Sequence, residues 1–421
     1  MTSDIDRVLA EIDRNELVDL ALTLGNIDSP PGQEKEVAEH VEAWLQREGL
    51  KTSVLSLLEE RPNVIGTLKG TGGGYSLLFN SHMDTSVANE DIWNRRNPRD
   101  PILHKAWQEG AALFGNGLVN DKGPMACFLI AAKAIKKAGI PLKGDLLLTA
   151  VSGEIPLDAV DDFQSPAYPG KVVGTRWIVT HGAIADYALV AEATNFQLAW
   201  VEAGKLFVKI TVFGKPALYT PFITRPYKPE EHPNAIFQMT RLVQEIDDWA
   251  LTYEKKHTLA CDGGTIIPKI AIGAIKGGRP YAPVGTSEVC ALYLDIRTVP
   301  GQDMLAIKAE LEKLLQSLHL EGEVQIYLSQ PGFTAKAIEP LAGAVTKAHQ
   351  NIFKNEPKTA VGPISSMWRD LNVFNEIGIP SLTYGPAAGA GGQNFAVLID
   401  DFHRAAQAYA MIAIDICNRE K

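Results

Sequence analysis

Three runs constrain the fold more than anything else in this chain: GDLLLTAVS (144–152), DYALVAEA (186–193) and PSLTYGP (380–386). Each is short, apolar at most positions and bounded by Gly, Pro or charged residues. A strand with one wet face alternates apolar and polar side chains, whereas a continuously apolar strand must be covered on both faces, as the central strands of a largely parallel sheet are. Further strand patterns occur at TSVLSLL, NVIGTL and SLLFNS. The segment DKGPMACFLIAAKAIKKAG reads as a helix, with Asp121 at its start, Pro124 in its first turn and Gly139 closing it. The expected architecture is α/β, a mostly parallel sheet with helices on both faces.

At 421 residues the chain is too long for one ordinary core, and two units are expected. From Ala203 to about Leu328 the pattern changes to alternating strands, KLFVKITVFG and EVCALYLDIRTV, with the helical segments NAIFQMTRLVQEIDDWA and QDMLAIKAELEKLLQSL between and after them. This stretch reads as an α+β insertion, after which helix and buried strand resume.

A formal charge of −10 and the lack of a basic patch interleaved with aromatics exclude nucleic acid as an expected partner. Cys127, Cys261, Cys290 and Cys417 have no CxxC spacing and read as buried thiols of a reducing compartment. The acidic, helix-patterned N-terminus is unlike a signal peptide, and no apolar run reaches membrane-spanning length. No membrane partner and a cytoplasmic location are therefore expected.

The chemistry-bearing residues follow predicted strands or open a helix. His82 and Asp84 stand just past the strand ending at Asn80, Asp121 opens the long helix, Glu154 follows GDLLLTAVSG, and Glu192 ends DYALVA. The carboxyl ends of strands are where open α/β sheets place their sites. An Asp two residues after a metal-binding His can hold its second ring nitrogen. Alone, Asp121 is more often a helix cap and Glu154 or Glu192 a solvated loop residue. Together they describe one acidic crevice, and one His with two carboxylates suits zinc, manganese or ferrous iron.

The order of SPPGQEKEVAEHV, SHMDT, GNGLVNDKGPMA, AVSGE, LVAEATN, HPNAI, LDIRTVPGQ and WRDLNVFNEIGIPSLTYGP resembles the metallohydrolases that include aminoacylases, acetylornithine deacetylase and carboxypeptidase G. The resemblance covers nearly the whole chain. It implies a discontinuous catalytic domain, 1–202 with 329–421, and a lid and dimerisation domain, 203–328, through which a homodimer or higher homo-oligomer forms. It also implies that His82, Asp121 and Glu192 ligate a metal, that Asp84 orients His82, and that Glu154 is the general base.

Departures from the family pattern refine this expectation. Ile155 stands where a second acid would ligate a second metal, and Gly392, Gln393 and Asn394 stand where a His of that metal is expected, so one divalent ion per chain is expected: manganese or zinc, with iron as the remaining candidate. His403 and His181 are conceivable substitute ligands. In VFGKPALYTP, Leu218 replaces the lid His that stabilises the oxyanion of amide hydrolysis in the family.

That loss favours, as the leading subtype, hydrolytic deamination of an activated aromatic amine such as nitroanthranilic acid. Hydrolysis of N-acyl amino acids or dipeptides is the alternative, and a non-catalytic ligand-binding member the second. The expected substrate is a small carboxylate-bearing molecule, clamped by Arg369 through its planar donors, with Tyr384 and Asn394 as further contacts.

Overall fold

The computed structural model describes residues 4–86, 100–390 and 395–421. The chain divides into two units: Met1–Trp200 with Thr334–Ala360 and Arg369–Lys421, and Val201–Phe333 with Val361–Trp368.

The first unit is built on a six-stranded sheet of β1 (Lys51–Leu58), β2 (Arg61–Leu68), β3 (Leu77–His82), β4 (Leu146–Val151), β5 (Tyr187–Val190) and β6 (Ser381–Thr383). Its spatial order is β1-β2-β4-β3-β5-β6. The β4/β3, β3/β5 and β5/β6 pairs are parallel, and the β1/β2 and β2/β4 pairs antiparallel. The apolar runs behave as their composition demands: every residue of β3, β4, β5 and β6 is buried, while every residue of the edge strand β1 is exposed or half-buried.

Helices flank this sheet. The N-terminal pattern gives two helices rather than one, α1 (Asp4–Ala10) and α2 (Arg14–Asn26). The break is set by Asp13, whose carboxylate accepts the Asn15 and Glu16 amides and so starts a new helix. α3 (Lys35–Arg47) turns Val37, Val41, Trp44 and Leu45 inward. α4 (Gly123–Lys137) is buried at all but three of its fifteen positions and packs with α5 (Glu339–Phe353) and α6 (Ile399–Cys417) into one core containing Phe79, Phe128 and Tyr409.

The helix expected to open at Asp121 begins instead at Gly123, after one wide turn over Leu118–Lys122. Asp121 therefore does not cap it. Its carboxylate turns back toward β3, which is what makes it available to a site.

The second unit holds an antiparallel sheet in the order Ile270–Gly277, Val289–Thr298, Gly204–Phe213, Gly322–Gln330. Leu206, Val208, Ile210 and Val212, at alternate positions, pack against helices Ala235–His257 and Met304–Ser317 through Met239, Leu242, Ile246, Ile307 and Leu311. Seven of the eight residues of the edge strand Ile270–Gly277 are exposed. Of the four cysteines, Cys127, Cys290 and Cys417 are buried as expected, but Cys261 is exposed, since it lies on a short two-stranded ribbon rather than in either core. Among the described residues no helix is long and apolar enough to cross a membrane.

Candidate metal centre and active site

β4, β3 and β5 lie side by side and run the same way, so whatever follows their last residues meets at one end of the sheet. His82 is the last residue of β3, Glu154 comes three residues after β4, and Glu192 two after β5. The turn before α4 brings in Asp121. All four side chains are buried.

Among the described residues, His82, Asp121 and Glu192 form a group whose ligand atoms all lie within 4.8 Å of one another. The Ser81 hydroxyl donates to Asp121 Oδ2 at 2.5 Å, while Asp121 Oδ1 is buried with no hydrogen-bond partner. His82 Nδ1 lies 2.9 Å from the main-chain oxygen of Asp84, and Nε2 lies 3.1 Å from Asn120 Oδ1.

The electrostatics of the group follow from burial and closely spaced charge. Burial, and then the charge of Glu192, push the Asp121 carboxyl well above the usual carboxylate range. Burial alone would depress His82, but Asp84, Glu154 and Asp121 outweigh it and raise it well above its ordinary value. Closely spaced carboxylates in a dry site cannot all ionise without a cation. An orphaned carboxylate oxygen beside one imidazole and a second carboxylate is a donor set that fits a divalent ion of the zinc, manganese or ferrous class.

Asp84 does more than the HxD spacing implies. Its Oδ1 is 3.5 Å from His82 Nδ1, longer than a good hydrogen bond, whereas the same carboxylate accepts the Glu154 amide at 3.1 Å and the Ile155 amide at 2.7 Å. It thus ties the turn carrying Glu154 to the strand end carrying His82. Burial opposes the Asp84 charge, but His82, then the Ile155 amide and Arg61, hold it below its ordinary value. Gly153 lets that turn form: it sits at φ +70°, and a Cβ there would come within 2.6 Å of Arg61 Nη2 and Val173 Cγ1.

Glu154 itself is ion-paired with Lys171, whose Nζ also donates to the Glu154 carbonyl at 2.6 Å. Burial would raise the Glu154 carboxyl, but Lys171 and His82 together bring it below its ordinary value. Nothing in the irregular segment before Lys171 marks this residue in the sequence.

Arg369 is buried, and its Nε donates to Glu192 Oε2 at 2.6 Å, so the structure places this arginine on a candidate ligand. Its neighbour Asp370, not singled out in the sequence, accepts from Asn80 Nδ2 at 2.8 Å, and Asn80 Oδ1 in turn accepts from Thr149. Burial, followed by the charge of Glu154, raises Asp370 to about 7.

The Tyr384 side chain is in the apolar core, its hydroxyl 2.8 Å from His349 Nδ1, and is not brought to His82. Asn394, Gln393 and Gly392 lie outside the described residues. His181 is exposed and engaged with the Trp177 carbonyl, and His403 sits with Asp400 and Arg404 along a surface cavity of about 690 Å³. Neither is part of the group around His82.

The chain is similar to known proteins over nearly its whole length. The chain is 26% identical to N-formyl-4-amino-5-aminomethyl-2-methylpyrimidine deformylase of Bacillus subtilis (strain 168), over 97% of this chain and 96% of that protein. The fold matches a tripeptidase from Staphylococcus aureus with a TM-score of 0.70 at 19% identity, covering 97% of this chain and all of the other. It also matches a Bacillus subtilis protein described as a dinuclear metal-binding peptidase, with a TM-score of 0.61 at 12% identity over 95% and 97% of the two chains. Residues 78–415 match the model of peptidase family M20/M25/M40, and the chain belongs to that family.

Proposed function

We propose that this protein is an amidohydrolase that removes a short acyl group from a small amine, using one divalent ion held by His82, Asp121 and Glu192 and the carboxylate of Glu154 as general base. Metal-dependent hydrolysis of C–N bonds is the chemistry of its family. The single observation that carries the reading is the buried His82, Asp121 and Glu192 group with an orphaned Asp121 oxygen, together with the buried Glu154–Lys171 ion pair.

Bound at those ligands, a divalent ion supplies Lewis acidity and a more acidic water. The remaining work belongs to the chain. Glu154 takes a proton from the attacking water as its oxygen bonds to the acyl carbon, then delivers that proton to the nitrogen as the C–N bond breaks. Asp84 fixes the turn on which Glu154 stands, and Arg369 holds Glu192 rather than a substrate carboxylate. Tyr384, committed to the core, takes no part.

The count of one ion is supported by Ile155, which offers no ligand atom at the position after the base. Deamination of nitroanthranilic acid, the subtype the missing lid histidine at Leu218 favoured, is not supported by the comparisons. A relative matching along 97% of the chain is named for removing a formyl group from an aminopyrimidine, which favours amide cleavage. We also propose that the exposed edge strand Ile270–Gly277, with Ile272 and Ile275, pairs with a second copy, making the second unit a dimerisation domain. Light scattering on the purified chain reads that directly.

The test of the activity is Glu154→Gln, assayed on N-formyl, N-acetyl and N-succinyl amines and on nitroanthranilate. Loss of about 10²- to 10⁴-fold in kcat on an acylated amine is expected. Undiminished turnover would remove Glu154 from the mechanism, and turnover confined to nitroanthranilate would restore deamination.

A further inference from the structure

Lys171 is a feature of the centre that neither the HxD motif nor the ligand set calls for. Its side chain is 4% exposed and that of Glu154 9%. A lysine loses a strongly hydrated ammonium when it is buried, and the burial is tolerated only where hydrogen bonds and opposite charge replace the water. Lys171 obtains both from Glu154, forming an ion pair with its Oε1 and donating to the carbonyl of the same glutamate. Two contacts to one residue fix the direction of the carboxylate as well as its charge.

The chain between the two residues closes on itself to make this pairing. The Gly170 amide donates to the Leu157 carbonyl at 3.0 Å, and the Lys171 amide to Asp158 Oδ1 at 3.3 Å, so the ends of the irregular segment 155–171 are held together next to Glu154. The need for a cation here is plain from the neighbours. Glu154 shares its surroundings with Asp84 and Asp370, both buried and acidic, while Arg61 is committed to Glu34 and Arg369 to Glu192. The following residue, Ile155, contributes no ligand that would bring a second metal ion to this carboxylate.

We propose that Lys171 is the positioning residue of Glu154, an ammonium built into the protein that holds the base ionised and aimed. This rests on the reading of Glu154 as general base. Lys171 is paired with Glu154 and is not one of the ligands His82, Asp121 and Glu192, so its loss should leave metal binding alone and weaken the chemical step.

The experiment compares the full-length, Mn²⁺-loaded wild type with Lys171→Met, Lys171→Arg and Glu154→Gln. Steady-state kinetics are measured on the best acylated amine, and Mn²⁺ affinity on metal-stripped protein by competition with a chelating dye. Lys171→Met is expected to lose about 10²-fold or more in kcat, with KM within about threefold and Mn²⁺ affinity unchanged. Lys171→Arg, which keeps the charge, should recover at least a tenth of the wild-type kcat. If Lys171→Met has no thermal transition, Lys171→Gln is judged by the same criteria.

Wild-type kcat in Lys171→Met, or a loss that appears equally in Mn²⁺ affinity, overturns the proposal. An Arg variant no better than the Met variant overturns it too. If Glu154→Gln is inactive while Lys171→Met is not, only the role of Lys171 falls; if Glu154→Gln is fully active, the general-base reading falls first.

Discussion

Replacing Asp84 by Asn separates two jobs that the HxD motif merges. The carboxylate accepts two amides, from Glu154 at 3.1 Å and Ile155 at 2.7 Å, whereas the imidazole of His82 makes its short contact to the Asp84 main-chain oxygen. An asparagine keeps one acceptor oxygen and puts an NH₂ in place of the other. One of the two amides must then face a donor in a buried site. Losing a hydrogen bond to a charged acceptor costs about 1.5–3 kcal/mol, and the stranded amide adds about 1–3 kcal/mol.

That strain falls on the turn bearing Glu154, while the main-chain contact to His82 survives the substitution. Asp84→Asn should therefore lower kcat at saturating Mn²⁺ by about 10²-fold or more. Its Mn²⁺ affinity should fall by only about tenfold, the low end for partners behind a metal ligand. Chelator competition gives the affinity, and kinetics at saturating metal give kcat. If affinity fell by about a hundredfold while the saturated variant turned over like wild type, the carboxylate would serve His82 and not Glu154, and the reasoning would be refuted.

Arg369→Gln withdraws the charge that holds Glu192 Oε2 at 2.6 Å and should weaken Mn²⁺ binding by about ten- to a hundredfold, measured by the same competition. Glu34 is raised from 4.5 to about 7 by burial, and then by the charge of Asp84, against the pull of Arg61. A carboxyl whose folded pKa lies above its unfolded one keeps its contribution below the unfolded value and loses it as pH rises through the folded one, here about 3 kcal/mol between roughly pH 4.5 and 7. Urea unfolding across that window should show stability falling with pH in the wild type and a flatter dependence in Glu34→Gln, whatever the variant's absolute stability; equal slopes would contradict it.

The parts of this molecule legible in the sequence are those whose signal is local. An apolar run such as DYALVAEA dictates a two-sided buried strand, and a carboxylate just past its end is delivered to the carboxyl edge of the sheet whatever the rest of the chain does. His82, Glu154 and Glu192 were readable for that reason. Partners brought in from elsewhere in the chain were not: Lys171 ends a segment without periodicity, and the pairing of Arg369 with Glu192 spans 177 positions.

Where a residue was misread, the local signal already spoke against the assignment. Tyr384 belongs to PSLTYGP, one of the runs read as a buried strand, and burial in the core is what such a run predicts. Asp84 is near His82 as its spacing suggests, but the Glu154 and Ile155 amides it also holds leave no mark in the sequence.

The most direct test is the metal content of the protein, measured by mass spectrometry of the elements after exhaustive dialysis, in the wild type and in Asp121→Ala. One divalent ion per wild-type chain is expected, with essentially none in Asp121→Ala, since that variant loses the oxygen now left without a partner at the centre of the group. Two ions per wild-type chain, or a full ion retained by Asp121→Ala, would contradict the account.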